Sequence, residues 1–84
     1  MNPTTDLLEV GVYTPEDTLF EGKAHSVVFP GEKGTFEVLP HHRPILSRIL
    51  KGEILVDGQP ILIQRGVMKM ALNRVAAIVE TGPD

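Results

Sequence analysis

The sequence predicts an all-β domain: an antiparallel β-sandwich or flattened barrel of about eight to ten short strands, with no helical domain. Three observations lead there. Apolar residues alternate with polar ones along most of the chain instead of recurring every third or fourth position. The apolar runs are short and return at about 10-residue spacing, as in small sandwiches and barrels. Eight glycines and seven prolines in 84 residues suit a compact, turn-rich chain with frequent reversals.

In order, Met1 to Asp6 is polar and reads as a frayed end, as do residues 82–84. Leu8, Val10 and Val12 share one face of a first strand, with Glu9, Gly11 and Tyr13 on the other. Thr14-Pro15-Glu16-Asp17 is a turn whose proline pre-sets φ. Leu19 and Phe20 open a second strand that halts at Gly22, and Ala24 to Phe29 forms a third. The polar loop Gly31-Glu32-Lys33-Gly34 reverses the chain into a fourth strand, Thr35 to Leu39. Pro40 and Pro44 bracket a rigid corner that can be neither helix interior nor central strand. The apolar residues of Ile45 to Leu50 fit a helix face as well as a strand. Pro44 before it, Gly52 after it and its shortness favour the strand. Ile54 to Val56 and Ile61 to Ile63 flank Asp57-Gly58, a strong hairpin signal. In the next strand Gly66 marks a bulge or a close backbone approach, and Val67 to Leu72 alternates. Asn73-Arg74 turns the chain into a last strand, Val75 to Val79. The expected core is Leu8, Val10, Val12, Phe20, Val27, Phe29, Phe36, Val38, Leu46, Ile54, Val56, Ile61, Ile63, Met68, Met70, Val75, Ala77 and Val79.

Composition narrows the function classes. The length fits one domain, residues 1–84, burying roughly 60–65% of its unfolded surface. Such a margin suits a domain that takes part of its stability from a partner. Eight basic and eleven acidic residues give a net charge of −3 without a basic run, which argues against nucleic-acid binding. There is no cysteine, hence no disulfide framework and no thiolate metal site. No apolar run approaches the roughly 20 residues of a helical membrane span, so no direct insertion into the bilayer is expected.

Catalytic constellations are equally sparse. His41 and His42 are adjacent, so in an extended segment their rings diverge instead of converging on one metal. No nucleophile elbow is present, and the glycines after Pro30 are too few for a phosphate-cradling loop. The paired carboxylates, Glu16 with Asp17 and Glu32 near Glu37, read as solvated. Arg43 reads as a solvated charge, and His42 either bonds a backbone carbonyl or faces a partner. No cofactor is implied. The residues alone describe a non-catalytic binding or structural domain. A generic peptide- or ligand-binding barrel remains open beside it, as does a small hydrolase or isomerase using His42 and Glu37.

The segment from Ser26 to Leu46 resembles the signature of the epsilon subunit of F-type ATP synthases. In that family a Pro-Gly-x-x-Gly loop precedes a strand and a Leu-Pro-x-His-x-Pro corner. The likeness extends in order along the chain: Thr14-Pro15-Glu16, Leu19-Phe20-Glu21-Gly22, and Ser26 through Gly31. Gly34-Thr35-Phe36, Val38-Leu39-Pro40, His42 through Leu46, Gly52-Glu53-Ile54-Leu55, and Val75 through Thr81 continue it. Each fragment is weak alone, and the ordered set is specific. The resemblance implies the family's N-terminal β-sandwich, a non-catalytic part of the rotary central stalk. Its partners would be the gamma subunit and the polar loops of the c-ring, at the cytoplasmic face of the bacterial inner membrane. Its role would be to help couple proton transport to ATP synthesis. Gly31, Glu32, Lys33, Gly34 and Thr35 match the c-ring-facing loop, and Thr14 and His42 match positions facing gamma. Three residues depart from the pattern. Thr35 stands where many members have glutamate, leaving Glu32 as the substitute acidic contact. Glu37 stands where many have glycine, as does His41. The chain stops where the family's two-helix domain would begin, as a short form or a truncated one. Inhibition of hydrolysis and ATP binding, which depend on that domain, are not expected of it.

Overall fold

The computed structural model describes residues 6–82. Among them lie nine strands and no helix: β1 (Leu8–Tyr13), β2 (Thr18–Ala24), β3 (Val27–Gly31), β4 (Gly34–Val38), β5 (Ile45–Ile49), β6 (Gly52–Val56), β7 (Gln59–Ile63), β8 (Arg65–Ala71) and β9 (Arg74–Glu80). The ambiguous segment after Pro44 is a strand. The expected frayed residues 1–5, 83 and 84 lie outside the described residues.

One continuous sheet runs β2-β1-β9-β8-β5-β3-β6-β7, with β4 on the far side of β3. It folds over itself at β3. That strand meets β5 only through Gly31 and Ile49, while Val27 and Val28 pair with Val56 and Leu55 of β6. The result is two layers, β2-β1-β9-β8-β5 and β4-β3-β6-β7, closed over one core. Most pairings are antiparallel, but β1 and β9 run parallel. The sandwich is otherwise antiparallel, as expected, and this one pair is the exception. A tight turn forces antiparallel pairing only on strands it joins, and β1 and β9 are separated by nearly the whole chain.

Inward residues of both layers form a single cluster in which Leu8, Val12, Val27, Phe29, Val38, Ile54, Met68, Met70, Ala77 and Val79 are fully buried. Phe20, Phe36 and Ile61 pack at its margin, and the Phe36 ring stacks on Phe29 at 5.6 Å between centroids. Leu46 was expected inside and is 78% exposed. Apolar pairs at 45–46 and 49–50 leave the inward face of β5 undetermined, and pairing with β8 decides it. Leu46 lies opposite Lys69 on the outer surface, whereas Ile49 lies opposite Gly66 and is buried. Ala24 is the other core residue that the alternation did not reveal.

Ala24 also moves a boundary. β2 does not stop at Gly22; it continues to Ala24, opposite Leu8, and β3 starts at Val27. The reversal between them is held from afar by Asp57. Its Oδ1 accepts from the backbone N–H of His25 at 2.9 Å and of Ser26 at 3.0 Å. Asp57 in turn donates its own N–H to Ser26 O at 3.0 Å. The expected Asp57-Gly58 hairpin is present, with φ of 48° and 83°, the doubly left-handed turn that matches strand twist. The β8–β9 turn has the same form but is centred on Leu72 and Asn73, φ 52° and 62°, one residue before the expected Asn73-Arg74.

Gly66 is a close approach and not a bulge, since β8 and β9 stay in register across it. A Cβ there would meet the carbonyl oxygen of Ile78 and lie 2.8 Å from Val79 Cγ1.

Candidate docking surfaces

The loop singled out in the sequence is the tip of the β3–β4 hairpin. Pro30 pairs with Thr35 and Gly31 with Gly34, which leaves Glu32 and Lys33 at the apex, both exposed. The two glycines have different jobs. Gly34 sits at φ 110°, where other residues are strained. Gly31 makes room for Phe36, whose ring would lie 2.8 Å from an added Cβ. The tip is therefore short, and its base is anchored to the core through the Phe29–Phe36 stack. Glu32 Oε2 lies 4.0 Å from Arg48 Nη1, and both side chains are largely exposed.

The corner is a different device. His42 N donates to Leu39 O at 3.1 Å, closing a turn with Pro40 at its second position and His41 at its third. His41 has φ 70°, the left-handed geometry that position requires, which is the physical reason a glycine is favoured there. The non-glycine residue is held by two contacts. His41 N donates to Asn73 Oδ1 at 2.6 Å, and its Nε2 lies 2.9 Å from Asp6 Oδ2. His42 turns its Nδ1 toward Arg43 O at 2.7 Å. A carbonyl only accepts, so Nδ1 carries the hydrogen, and in the neutral ring Nε2 is left as an acceptor. The two rings have different partners, Asp6 for His41 and the Arg43 carbonyl for His42.

Thr14 caps the β1–β2 turn. Its Oγ1 accepts from Asp17 N at 2.9 Å and Glu16 N at 3.2 Å, and its own N donates to Asp17 O at 2.8 Å. This accounts for Thr14 locally without a partner. Thr14 and His42 are not brought together. The corner touches Asn73 at the start of β9, whereas Tyr13, beside Thr14, pairs with Ile78 near its end. Five residues of strand separate those points by about 17 Å. Thr14 instead shares its end of the sandwich with the glycine-edged tip. Pro15, next to Thr14, lines one depression of about 530 Å³ with Arg48 and Leu50, and these two reach the tip through Glu32 and the Pro30 carbonyl.

Between the two ends runs a surface the sequence did not announce: the outer face of β5, β8 and β9. Leu46, Val67 and Ile78 project from it, and Val67 and Ile78 are direct cross-strand neighbours, 48% and 51% exposed. Small Ala76 lies beside them, opposite Lys69. On β1, the Tyr13 ring lies over Gly11, where an added Cβ would collide with it. Tyr13 OH donates to Glu21 Oε2 at 2.9 Å. That bond to a carboxylate raises the phenol's pKa above 10.0, with desolvation and the Glu21 charge adding to it. Alternation located Val67 and Ile78 on an outward face, whereas Leu46 reaches it only through the pairing of β5 with β8, and the sheet order sets all three on one surface.

Among the described residues no group of three His, Cys, Asp or Glu side chains could hold a metal, and none of the buried residues is polar or charged. The fold and these surfaces define a small two-layered β-sandwich with exposed apolar strips and polar turns at both ends. Comparison with known proteins makes the assignment specific. The chain belongs to the family of the β-sandwich domain of the ATP synthase delta/epsilon chain, whose profile matches residues 7–82. The ATP synthase epsilon chain of a Nitratiruptor species is 41% identical over 80 residues, covering 89% of this chain and 62% of that protein. That of Bordetella petrii is 33% identical over 79 residues, covering 88% and 56%. The chain thus spans little more than half the length of these relatives. A chain in the cryo-EM structure of the Tetrahymena thermophila mitochondrial ATP synthase central stalk and c-ring shares the fold. It superposes with a TM-score of 0.74 at 13% identity, over 87% of this chain and 63% of that one.

Proposed function

We propose that this domain is the sandwich of an epsilon-type central-stalk subunit. It grips the gamma subunit, rests on the polar loops of the c-ring, and helps couple proton transport to ATP synthesis without catalysing a reaction itself. The observation that carries this reading is the family match over residues 7–82, with the tip loop and the histidine corner inside it. The geometry supports a division of labour. The Gly31–Thr35 hairpin faces the ring and is compact enough to press against a polar loop without buckling. Gamma lies along the outer face of β5, β8 and β9, which explains how Thr14 and His42 can face one partner from opposite ends. Burying Leu46, Val67 and Ile78 there would contribute about 25 cal/mol for each Å² of apolar surface removed from water, before the costs of association. In a bacterial cell the domain would sit at the cytoplasmic face of the inner membrane, carried by the complex and not by a membrane segment of its own.

A pull-down of the chain with purified gamma, with and without the c-ring, tests the reading. Retention by gamma alone, strengthened when the ring is present, is the expected result. A folded chain that gamma fails to retain would refute it.

A further inference from the structure

The geometry points to the notch between the Pro40–Pro44 corner and the Leu72–Asn73 turn as a socket for an apolar side chain flanked by a carboxylate on the partner protein. Leu72 is its anchor. The inference rests on the central-stalk reading, and the partner it concerns is the gamma subunit. Three observations meet at this place.

Leu72 is 92% exposed, the most exposed of the large apolar residues. It also occupies φ 52°, where a branched apolar side chain is disfavoured. The β6–β7 hairpin uses Asp57-Gly58, residues at home in the same turn geometry. A strained leucine that gains nothing from burial in the free domain is a residue to be covered by something else. The turn is also pinned. Asn73 Oδ1 accepts from His41 N at 2.6 Å, and Asn73 O accepts from Glu9 N at 2.8 Å. Leu72 is thereby held ready, so little ordering is left for the moment of binding.

Charge supplies the partner's chemistry. Arg48, Arg65 and Arg74 each have a carboxylate of the chain within ion-pair reach: Glu32, Glu80 and Glu9. Arg43, on the rim of the notch, has none among the described residues. The notch is an open depression of about 460 Å³ between His41, His42, Arg43, Pro44, Leu72 and Asn73, wide enough for a large apolar side chain together with a neighbouring residue. An exposed apolar anchor beside an uncompensated guanidinium fits an apolar residue with an acidic neighbour.

Titration calorimetry with the gamma subunit of the same synthase tests the socket. Leu72→Gly is expected to keep or raise the thermal midpoint, since glycine adopts this φ freely, yet to weaken binding by about tenfold or more. Leu72→Asn, also tolerant of the left-handed region, should lose a similar factor. Arg43→Gln should weaken binding by about threefold, with the difference shrinking as salt rises. Leu62→Ala, on the opposite layer, serves as the control and should keep the wild-type affinity. If folded Leu72→Gly binds within about twofold of a tight wild type, well short of a hot-spot loss, the socket is wrong and the central-stalk reading survives. If Leu62→Ala weakens binding as much as Leu72→Gly, the effect is general stickiness and the socket is again wrong. If the wild-type chain itself does not bind gamma, both readings fall together.

Discussion

Asp57 is the residue whose removal most directly tests how the two layers are joined. The β2–β3 reversal carries the chain from one layer to the other, and the Asp57 carboxylate from the β6–β7 hairpin accepts both its N–H groups, His25 and Ser26. Hydrogen bonds to a charged acceptor contribute about 1.5–3 kcal/mol each when well shielded. This carboxylate is 41% exposed, so the pair together is held to about 1.5 kcal/mol. The residue's φ of 48° adds about 1 kcal/mol when alanine replaces it, because aspartate tolerates the left-handed region better. Asp57→Ala should therefore cost about 2–3 kcal/mol. For a domain of this size that lowers the thermal midpoint by about 10–20 °C. Asp57→Asn retains an acceptor oxygen and the same backbone tolerance, and should cost below about 1 kcal/mol. Differential scanning calorimetry of the three proteins in one buffer is the assay. An alanine variant that melts within about 4 °C of wild type, or an asparagine variant as damaged as alanine, would refute the reasoning.

Other perturbations have equally definite outcomes. Gly66→Ala drives a methyl into the β9 backbone and should destabilise by about 1–3 kcal/mol or more, read from urea unfolding; a neutral result would mean β8 and β9 do not approach as described. Tyr13 should titrate above 10.0 in the folded protein, because its bond to Glu21 stabilises the neutral phenol. Its folded value is raised, so the associated stability is present below pH 10 and is lost as pH rises through that folded value. Tyr13→Phe should remove this alkaline loss, and absorbance at the phenolate band tracks the titration directly. Glu32→Lys should weaken docking on the c-ring more at low salt than at high salt, in a co-sedimentation assay over a salt series. Loss of docking that does not depend on salt would assign Glu32 a steric role in place of an electrostatic one.

Local pattern went far in this chain because short strands advertise themselves. Leu8, Val10 and Val12, or Met68 and Met70, could face only one way once alternation was seen. Asp57-Gly58 could hardly be anything but a tight hairpin. The ordered Pro-Gly-x-x-Gly and Leu-Pro-x-His-x-Pro segments carried the resemblance that the family match then established. Pattern failed where two registers were equally plausible or a distant group intervened. Leu46 and Ile49 could exchange faces until β8 paired with β5, and the β2–β3 boundary depended on a carboxylate more than 30 positions away.

The candidate surfaces divide along the same line. Sequence alone determined the strand menu, the glycine-edged tip and the proline-bounded corner, because each is set by φ preferences and by the two-residue period of a strand. Only the tertiary structure decided that Thr14 and His42 stand at opposite ends, that Leu46, Val67 and Ile78 share one outer face, and that Leu72 and Arg43 line one notch. Those are relations between strands distant along the chain. They follow from sheet order and from the parallel closure of β9 on β1, which depend on how the whole core packs and on no local run of residues.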